Sequence, residues 1–206
     1  RALAAWGDPD RPRSHLGLCG WPLPDDARRA RQLKLAIYRA TVRRVDRALG
    51  RFAARLERLR LTERTLCTVF SDHGEEFCEH AAEAQVWNHD PRAVRGIGHG
   101  HSQFQELLHV PWASWGAGAP AHGKIADPVS LLDLAPTHAA WLGVPPLPLP
   151  DDAMPGLVGR SLAADDGPHD DRVLLAEATA FGPDLVAIKR DRWKLVAHRD
   201  GRPLGL

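Results

Sequence analysis

An apolar run, Leu66-Cys67-Thr68-Val69-Phe70, leads directly into Ser71-Asp72-His73-Gly74. A short run of this kind, ended by a turn signal, reads as a strand. Its near-continuous apolar character predicts a central strand covered on both faces, with a helix over residues 27–60 packed on one side. In α/β proteins, ligand sites form where strands end at their carboxyl edge. The run therefore delivers Asp72, a hard oxygen ligand, and His73, an imidazole nitrogen, to a place where a divalent cation can sit. The plain alternative is a strand-end turn with an N-capping aspartate.

The histidines weigh against the plain alternative. His73, His80, His89, His99, His101 and His109 are six of the chain's eleven and fall within 37 residues. Even scatter of that composition would place about two there. His99 lies between Gly98 and Gly100, which let backbone and imidazole approach a small anion closely. His89 and His109 read instead as ordinary surface or core residues.

Residues 27–60 hold eleven arginines and Lys34 against Asp46 and Glu57. Leu33, Ile37, Val45, Leu49, Phe52, Leu56 and Leu59 recur at three- and four-residue spacing, which predicts one face of a long amphipathic helix. Gly50 interrupts it, at a cost of about 1 kcal/mol relative to Ala. No aromatics interleave with the basic residues, so they read as a solvated face and no nucleic-acid partner is expected. The whole chain carries a formal charge of only +1. Cys19, Cys67 and Cys78 have no CxxC spacing, which argues against a disulfide framework or a cysteine zinc site. No apolar run reaches the length of a membrane span.

The remaining segments read more coarsely. Residues 1–26 look like loop, and residues 78–100 like a long active-site loop with a turn at Asp90-Pro91. Trp87 in that loop either lines a substrate mouth or packs on the surface. A short helical turn is expected over 103–108 and a strand from Val110 to Trp115. A helix is expected over 131–142, with Pro136 in its first turn. A proline- and aspartate-rich linker fills 145–170. Val173–Thr179, Leu185–Lys189 and Trp193–Ala197 fit a small antiparallel meander.

Several of these segments together resemble the second part of the sulfatase catalytic domain, in the alkaline phosphatase-like superfamily. The residues concerned are Ser71-Asp72-His73-Gly74-Glu75-Glu76-Phe77, Glu79-His80, Gly98-His99-Gly100-x-Ser102 and Glu106-Leu107-Leu108-His109-Val110-Pro111. In the same order follow Val129-Ser130-x2-Asp133-Leu134-x-Pro136-Thr137, Gly159-Arg160-Ser161-Leu162, Glu177 and Trp193-Lys194-Leu195. Upstream, Tyr38-x6-Val45-Asp46-x2-Leu49-Gly50 resembles the family's helix before the metal strand.

The resemblance implies an α/β fold: part of an alkaline phosphatase-like sandwich with a central mostly parallel sheet flanked by helices, plus a small C-terminal antiparallel sheet. It divides the chain into residues 1–150, the C-terminal portion of the catalytic domain, and 151–206, a linker with the small antiparallel subdomain. It implies Asp72 and His73 as metal ligands, His99 as the catalytic group at the ester, and Glu75 and His80 as supporting residues. The cofactor is a divalent metal ion. Where many sulfatases have Asn beside Asp, His73 adds nitrogen and moves the preference toward manganese or zinc without excluding calcium.

The implied substrate is a small anionic ester of sulfate or phosphate, and the implied activity is sulfuric ester hydrolysis. Phosphodiester or phosphonate monoester hydrolysis, phosphoglycerol-type transfer and a non-catalytic binding module stand as alternatives. The family's nucleophile motif, Cys/Ser-x-Pro-x-Arg, is absent, and Cys19 has proline at the wrong offset and no arginine. The chain thus reads as a fragment with both ends cut and inactive by itself. Compartment and any membrane association of the parent are not legible.

Overall fold

The computed structural model describes the backbone of residues 27–30 and, in full, residues 31–80, 83, 96–120, 123–145, 158–163, 172–177, 180–202 and 204. Cys19, Trp87, His89 and the Asp90-Pro91 turn lie outside the described residues. The elements are helix α1 (Ala27–Arg58), a 3₁₀ turn (Thr62–Arg64) and strands β1 (Leu66–Phe70), β2 (Glu76–Phe77) and β3 (Ile97–Gly98). Then come helix α2 (Gln105–Leu108), strand β4 (Trp112–Gly116) and a 3₁₀ turn (Leu131–Asp133) that runs into helix α3 (Leu134–Trp141). Strands β5 (Val173–Glu177), β6 (Leu185–Arg190) and β7 (Trp193–His198) close the order.

Helix α1 ends where its hydrogen bonding says it must. Leu61 N–H donates to Leu56 O (2.9 Å) and Arg60 N–H to Glu57 O (2.9 Å), the paired bonds of a Schellman close. That close needs a left-handed residue, and Arg60 takes it at φ 55°. Leu56 is buried beneath the turn. Near its start, α1 docks on β2: the Tyr38 and Phe77 rings meet edge to face at 5.0 Å, and Arg31 Nε donates to Phe77 O.

Two expectations differ from what the described residues show. Among these residues β1 has one strand partner, β4, and the pairing is antiparallel, from Leu66↔Gly116 to Phe70↔Trp112. All strand pairing among the described residues is antiparallel, so the central parallel sheet is not among them. Among the described residues, the main contacts of α1 are with β2 and the Thr62–Arg64 turn rather than with the β1–β4 sheet. The middle of the helix is bare, with Val42, Val45 (52% exposed) and Phe52 in solvent. The physical reason is the same in both cases: an apolar face needs an element to cover it, and no described element reaches the free edge of β1 or the middle of α1. Phe70, at the end of β1, is 49% exposed and Cys67 is the one buried residue of that strand. Gly50 faces open space and serves no close contact.

The C-terminal meander forms as expected, in the order β5-β6-β7 with Leu185 and Ala187 on its buried side. The Val129–Thr137 motif ties it to the rest. Ser130 and Asp133 form a reciprocal capping box. Pro136 sits in the first turn of α3, where its missing N–H costs nothing. Thr137 Oγ1 accepts from Leu162 N–H at 2.9 Å, fixing the Gly159–Leu162 link against α3.

Lys194 on β7 reaches toward α2, with Nζ 3.5 Å from Gln105 Oε1. Burial pulls its pKa from 10.5 down to about 8, against a smaller upward pull from Glu106. Folding therefore disfavours the charged lysine fully below pH about 8, and the penalty fades as pH rises toward 10.5. We expect Lys194→Met to be more stable than the parent at pH 7 and to lose the parent's gain in stability between about pH 8 and 10.5. Urea unfolding at pH 7 and pH 10 checks this. A variant less stable at pH 7 would contradict it.

Candidate metal and anion site

Asp72 and His73 leave the end of β1 side by side. The His73 backbone N–H donates to Asp72 Oδ1 at 3.0 Å, and Ser71 Oγ caps the turn by donating to His73 O at 2.6 Å. His73 Nδ1 lies 2.7 Å from Gly74 O. A carbonyl only accepts, so Nδ1 carries the proton and Nε2 carries the lone pair in the neutral ring. Nε2 is 3.6 Å from Asp72 Oδ1. A metal-binding imidazole is usually oriented in just this manner, its second nitrogen held by a backbone carbonyl. The nitrogen–oxygen donor pair fits a divalent cation such as manganese or zinc, and Asp72 is 82% exposed, open to further ligands. The plain capping role of Asp72 coexists with this geometry.

Gly74 explains how the turn is held. Its N–H donates to Leu107 O at 2.8 Å. A Cβ there would lie 1.8 Å from Glu106 O, so only glycine lets the Asp-His turn rest on α2.

His99 arrives from β3. Its ring stacks on His73, with centroids 3.7 Å apart. Its Nδ1 lies 2.8 Å from Glu75 Oε2, and as the carboxylate accepts, Nε2 becomes the ring atom placed for proton transfer. Glu75 is itself paired: Lys34 Nζ, from α1, lies 2.8 Å from Oε1. Burial pushes the Glu75 carboxyl up, but the Lys34 ammonium and His99 imidazole outweigh it and hold the pKa below the ordinary value. Ligand atoms of His73, Glu75 and His99 lie within 4.8 Å of one another. The structure thus brings Asp72, His73, His99 and Glu75 close together.

His80 is elsewhere. It stacks on Phe104 at 3.8 Å and pairs through Nδ1 with Glu106 Oε1 at 2.5 Å. Glu76, fully buried, pairs with buried His101 at 2.7 Å and accepts from His80 N–H at 3.3 Å. Glu76, His80 and Glu106 also place ligand atoms within 4.8 Å. Each carboxylate there already faces an imidazole, so the group closes on itself as a brace. Adjacent glutamates serve the two layers because side chains alternate across a strand, Glu75 toward His99 and Glu76 inward. Gly100, at φ 79°, turns the chain so that His99 and His101 follow the same split. His109 is exposed, the surface one of the two ordinary readings the sequence left open.

Lys34, Glu76, His101 and Arg172 were not legible as working residues. For Lys34 one signal existed: it is the single lysine among the arginines of residues 27–60 and sits three and four positions before Ile37 and Tyr38, on the apolar side of the helix.

The Asp72–His73 pair at the strand end, with the His99 ring stacked on His73, gathers nitrogen and oxygen donors of the kind that could hold a cation. The model of the family described as Sulfatase matches residues 20–144, and the chain belongs to that family. Arylsulfatase K of Rattus norvegicus is 27% identical over 171 residues, covering 81% of this chain and 28% of that protein. The Homo sapiens arylsulfatase K is 25% identical over 175 residues, covering 81% and 29%. A Haloferax volcanii protein named low-salt glycan biosynthesis sulfotransferase is 36% identical over 89 residues, 43% of this chain and 20% of its own. A solved protein in complex with its substrate D-glucosamine-2-N,6-O-disulfate superposes with a TM-score of 0.58 at 22% identity, covering 84% of this chain and 33% of that one. That likeness is one of fold: the described residues share the α/β fold of that solved protein. The chain spans under a third of the length of the arylsulfatase K relatives.

Proposed function

We propose that this chain carries the metal-binding and leaving-group part of a divalent-metal-dependent sulfuric ester hydrolase. The observation that carries the proposal is the pairing of Asp72 Oδ1 with His73 Nε2 at the end of β1, under a His99 ring stacked on His73. In this reading Asp72 and His73 hold the cation, which supplies positive charge to the ester oxygens and to the attacking group. In its protonated, imidazolium form, with Nδ1–H held by Glu75, His99 donates the Nε2 proton to the departing oxygen and is left as the neutral Nδ1–H ring. Glu76, His101, His80 and Glu106 keep the support of the site rigid.

The edge of β1 that no described strand pairs with and the exposed middle of α1 fit the same reading. In the complete domain they are covered by the remaining strands and helices, including the parallel part of the sheet. The nucleophile and the other metal-binding acids belong to that remainder, so these 206 residues alone hydrolyse no ester. A metal-dependent activity of this chain that disappears in Cys19→Ala would overturn that statement.

A sulfated sugar, the substrate class of the solved neighbour, is the substrate class we propose. The Asp-His pair also suits phosphodiester or phosphonate monoester hydrolysis and phosphoglycerol-type transfer. The test is to assay the protein with its complete sulfatase domain on 4-nitrophenyl sulfate and bis(4-nitrophenyl) phosphate. We expect the sulfate ester to be cut faster. Preference for the phosphodiester would move the protein to the phosphoryl side of the superfamily, and no turnover of either would favour a binding module.

A further inference from the structure

We infer that Lys34, on helix α1, is a positioning residue for the reaction: through Glu75 it fixes the orientation of the His99 imidazole. The inference rests on the proposed role of His99 as proton donor to the leaving oxygen.

The geometry is a three-residue chain. Lys34 Nζ lies 2.8 Å from Glu75 Oε1, and Glu75 Oε2 lies 2.8 Å from His99 Nδ1. The side chains of Lys34 and Glu75 are 13% and 11% exposed, unlike the ordinary ion pairs of this surface. A carboxylate held by only one partner can rotate about its terminal bond and present either oxygen. Held by an ammonium on one oxygen, it presents the other to His99 in one geometry. Burying a lysine is costly unless it is paired, so its position here needs a return beyond a surface contact. Glu75 also follows the Asp72-His73 turn by two residues. The same link therefore clamps that turn to α1, 38 to 41 residues earlier in the chain.

Two roles can be separated. A brace that only stabilises the fold would lower turnover of every substrate alike. A residue that orients the proton donor matters in proportion to how much the leaving group needs a proton. Activated aryl oxygens leave unaided, whereas less acidic ones depend on the donor.

The experiment compares the parent protein, carrying its complete sulfatase domain, with Lys34→Met, Lys34→Arg and His99→Ala. Each is assayed on aryl sulfates graded in leaving-group acidity, from 4-nitrophenyl to 4-methoxyphenyl sulfate. In parallel, the His99 ring tautomer is read by long-range proton–nitrogen NMR in the 206-residue chain. We expect Lys34→Met to lower kcat about 10- to 100-fold on the poorest leaving group and by less than about threefold on the best. Lys34→Arg should restore most of the loss, and Lys34→Met should turn the single Nδ1–H form of His99 into a mixture. Equal losses along the series with an unchanged tautomer would reduce Lys34 to a structural brace and overturn the inference. If His99→Ala itself shows no leaving-group dependence, the role of His99 fails, and the NMR result alone then decides whether Lys34 orients the ring.

Discussion

Replacing Asp133 by alanine is expected to destabilise the chain by about 3–5 kcal/mol, the range for breaking a buried ion pair from one side. Asp133 is fully buried at the junction of the 3₁₀ turn and α3. Each of its oxygens takes one guanidinium nitrogen of Arg172 at 2.6 Å and one backbone N–H, from Ser130 at 2.8 Å and Arg160 at 2.9 Å. Removing the carboxylate strands a largely buried guanidinium and two backbone donors at once, and unlinks the C-terminal strands from α3. Burial raises the Asp133 carboxyl, but the Arg172 pair and the two N–H donors overcome it, so the folded pKa lies below the ordinary 3.8. The stability from this shift is therefore present in full above that ordinary value and is lost as pH falls through the lower folded one. Urea unfolding at pH 7 reads the loss. Asp133→Ala combined with Arg172→Met should cost less than the two single changes added, because the second removes the stranded charge. A loss below about 1 kcal/mol in Asp133→Ala would mean that the junction is not held by this pair.

The larger functional effect belongs to His99. In the protein with its complete sulfatase domain, His99→Ala is expected to reduce turnover of a poorly activated ester by about 10²–10⁴-fold, the usual worth of a positioned general acid. The expectation follows from the ring's two anchors, the Glu75 hydrogen bond at 2.8 Å and the stack on His73 at 3.7 Å. Both hold the imidazole against the proposed cation site, where the anionic ester oxygens would also lie. His99→Gln, which keeps a polar side chain but cannot act as an acid, should be nearly as slow. Turnover within about threefold of the parent in both variants would remove His99 from the chemistry.

Much of this was written locally in the chain. The strand-to-turn run through Asp72-His73-Gly74 declares itself because apolar period and donor chemistry meet within nine residues. The reading of α1 over 27–60 came within two residues of Ala27–Arg58, because its apolar spacing is strong and its end needs Arg60 in a left-handed turn. The meander of β5 to β7 was visible from its turn residues. What stayed hidden depends on partners distant in sequence. Nothing in Leu66–Phe70 says whether its neighbour runs parallel or antiparallel, and the apolar reading of both faces assumed cover that the described residues do not supply. β2 and β3 are two residues each, too short for a period, yet their pairing of Glu76 with Gly98 lets Glu75 reach His99 at 2.8 Å and Glu76 reach His101 at 2.7 Å. The split between site and brace turns on the backbone at Gly100. Lys34 was read with its arginine neighbours as a solvated face, and only the fold distinguishes it from them.

The most direct measurement is metal dependence at Asp72. The protein with its complete sulfatase domain is stripped by chelation, resupplied separately with manganese, zinc or calcium, and assayed on an aryl sulfate beside Asp72→Ala. The account predicts that hydrolysis vanishes on stripping, returns with at least one of these cations, and does not return in Asp72→Ala. Hydrolysis that survives thorough chelation, or that Asp72→Ala retains at the parent's rate, would contradict it.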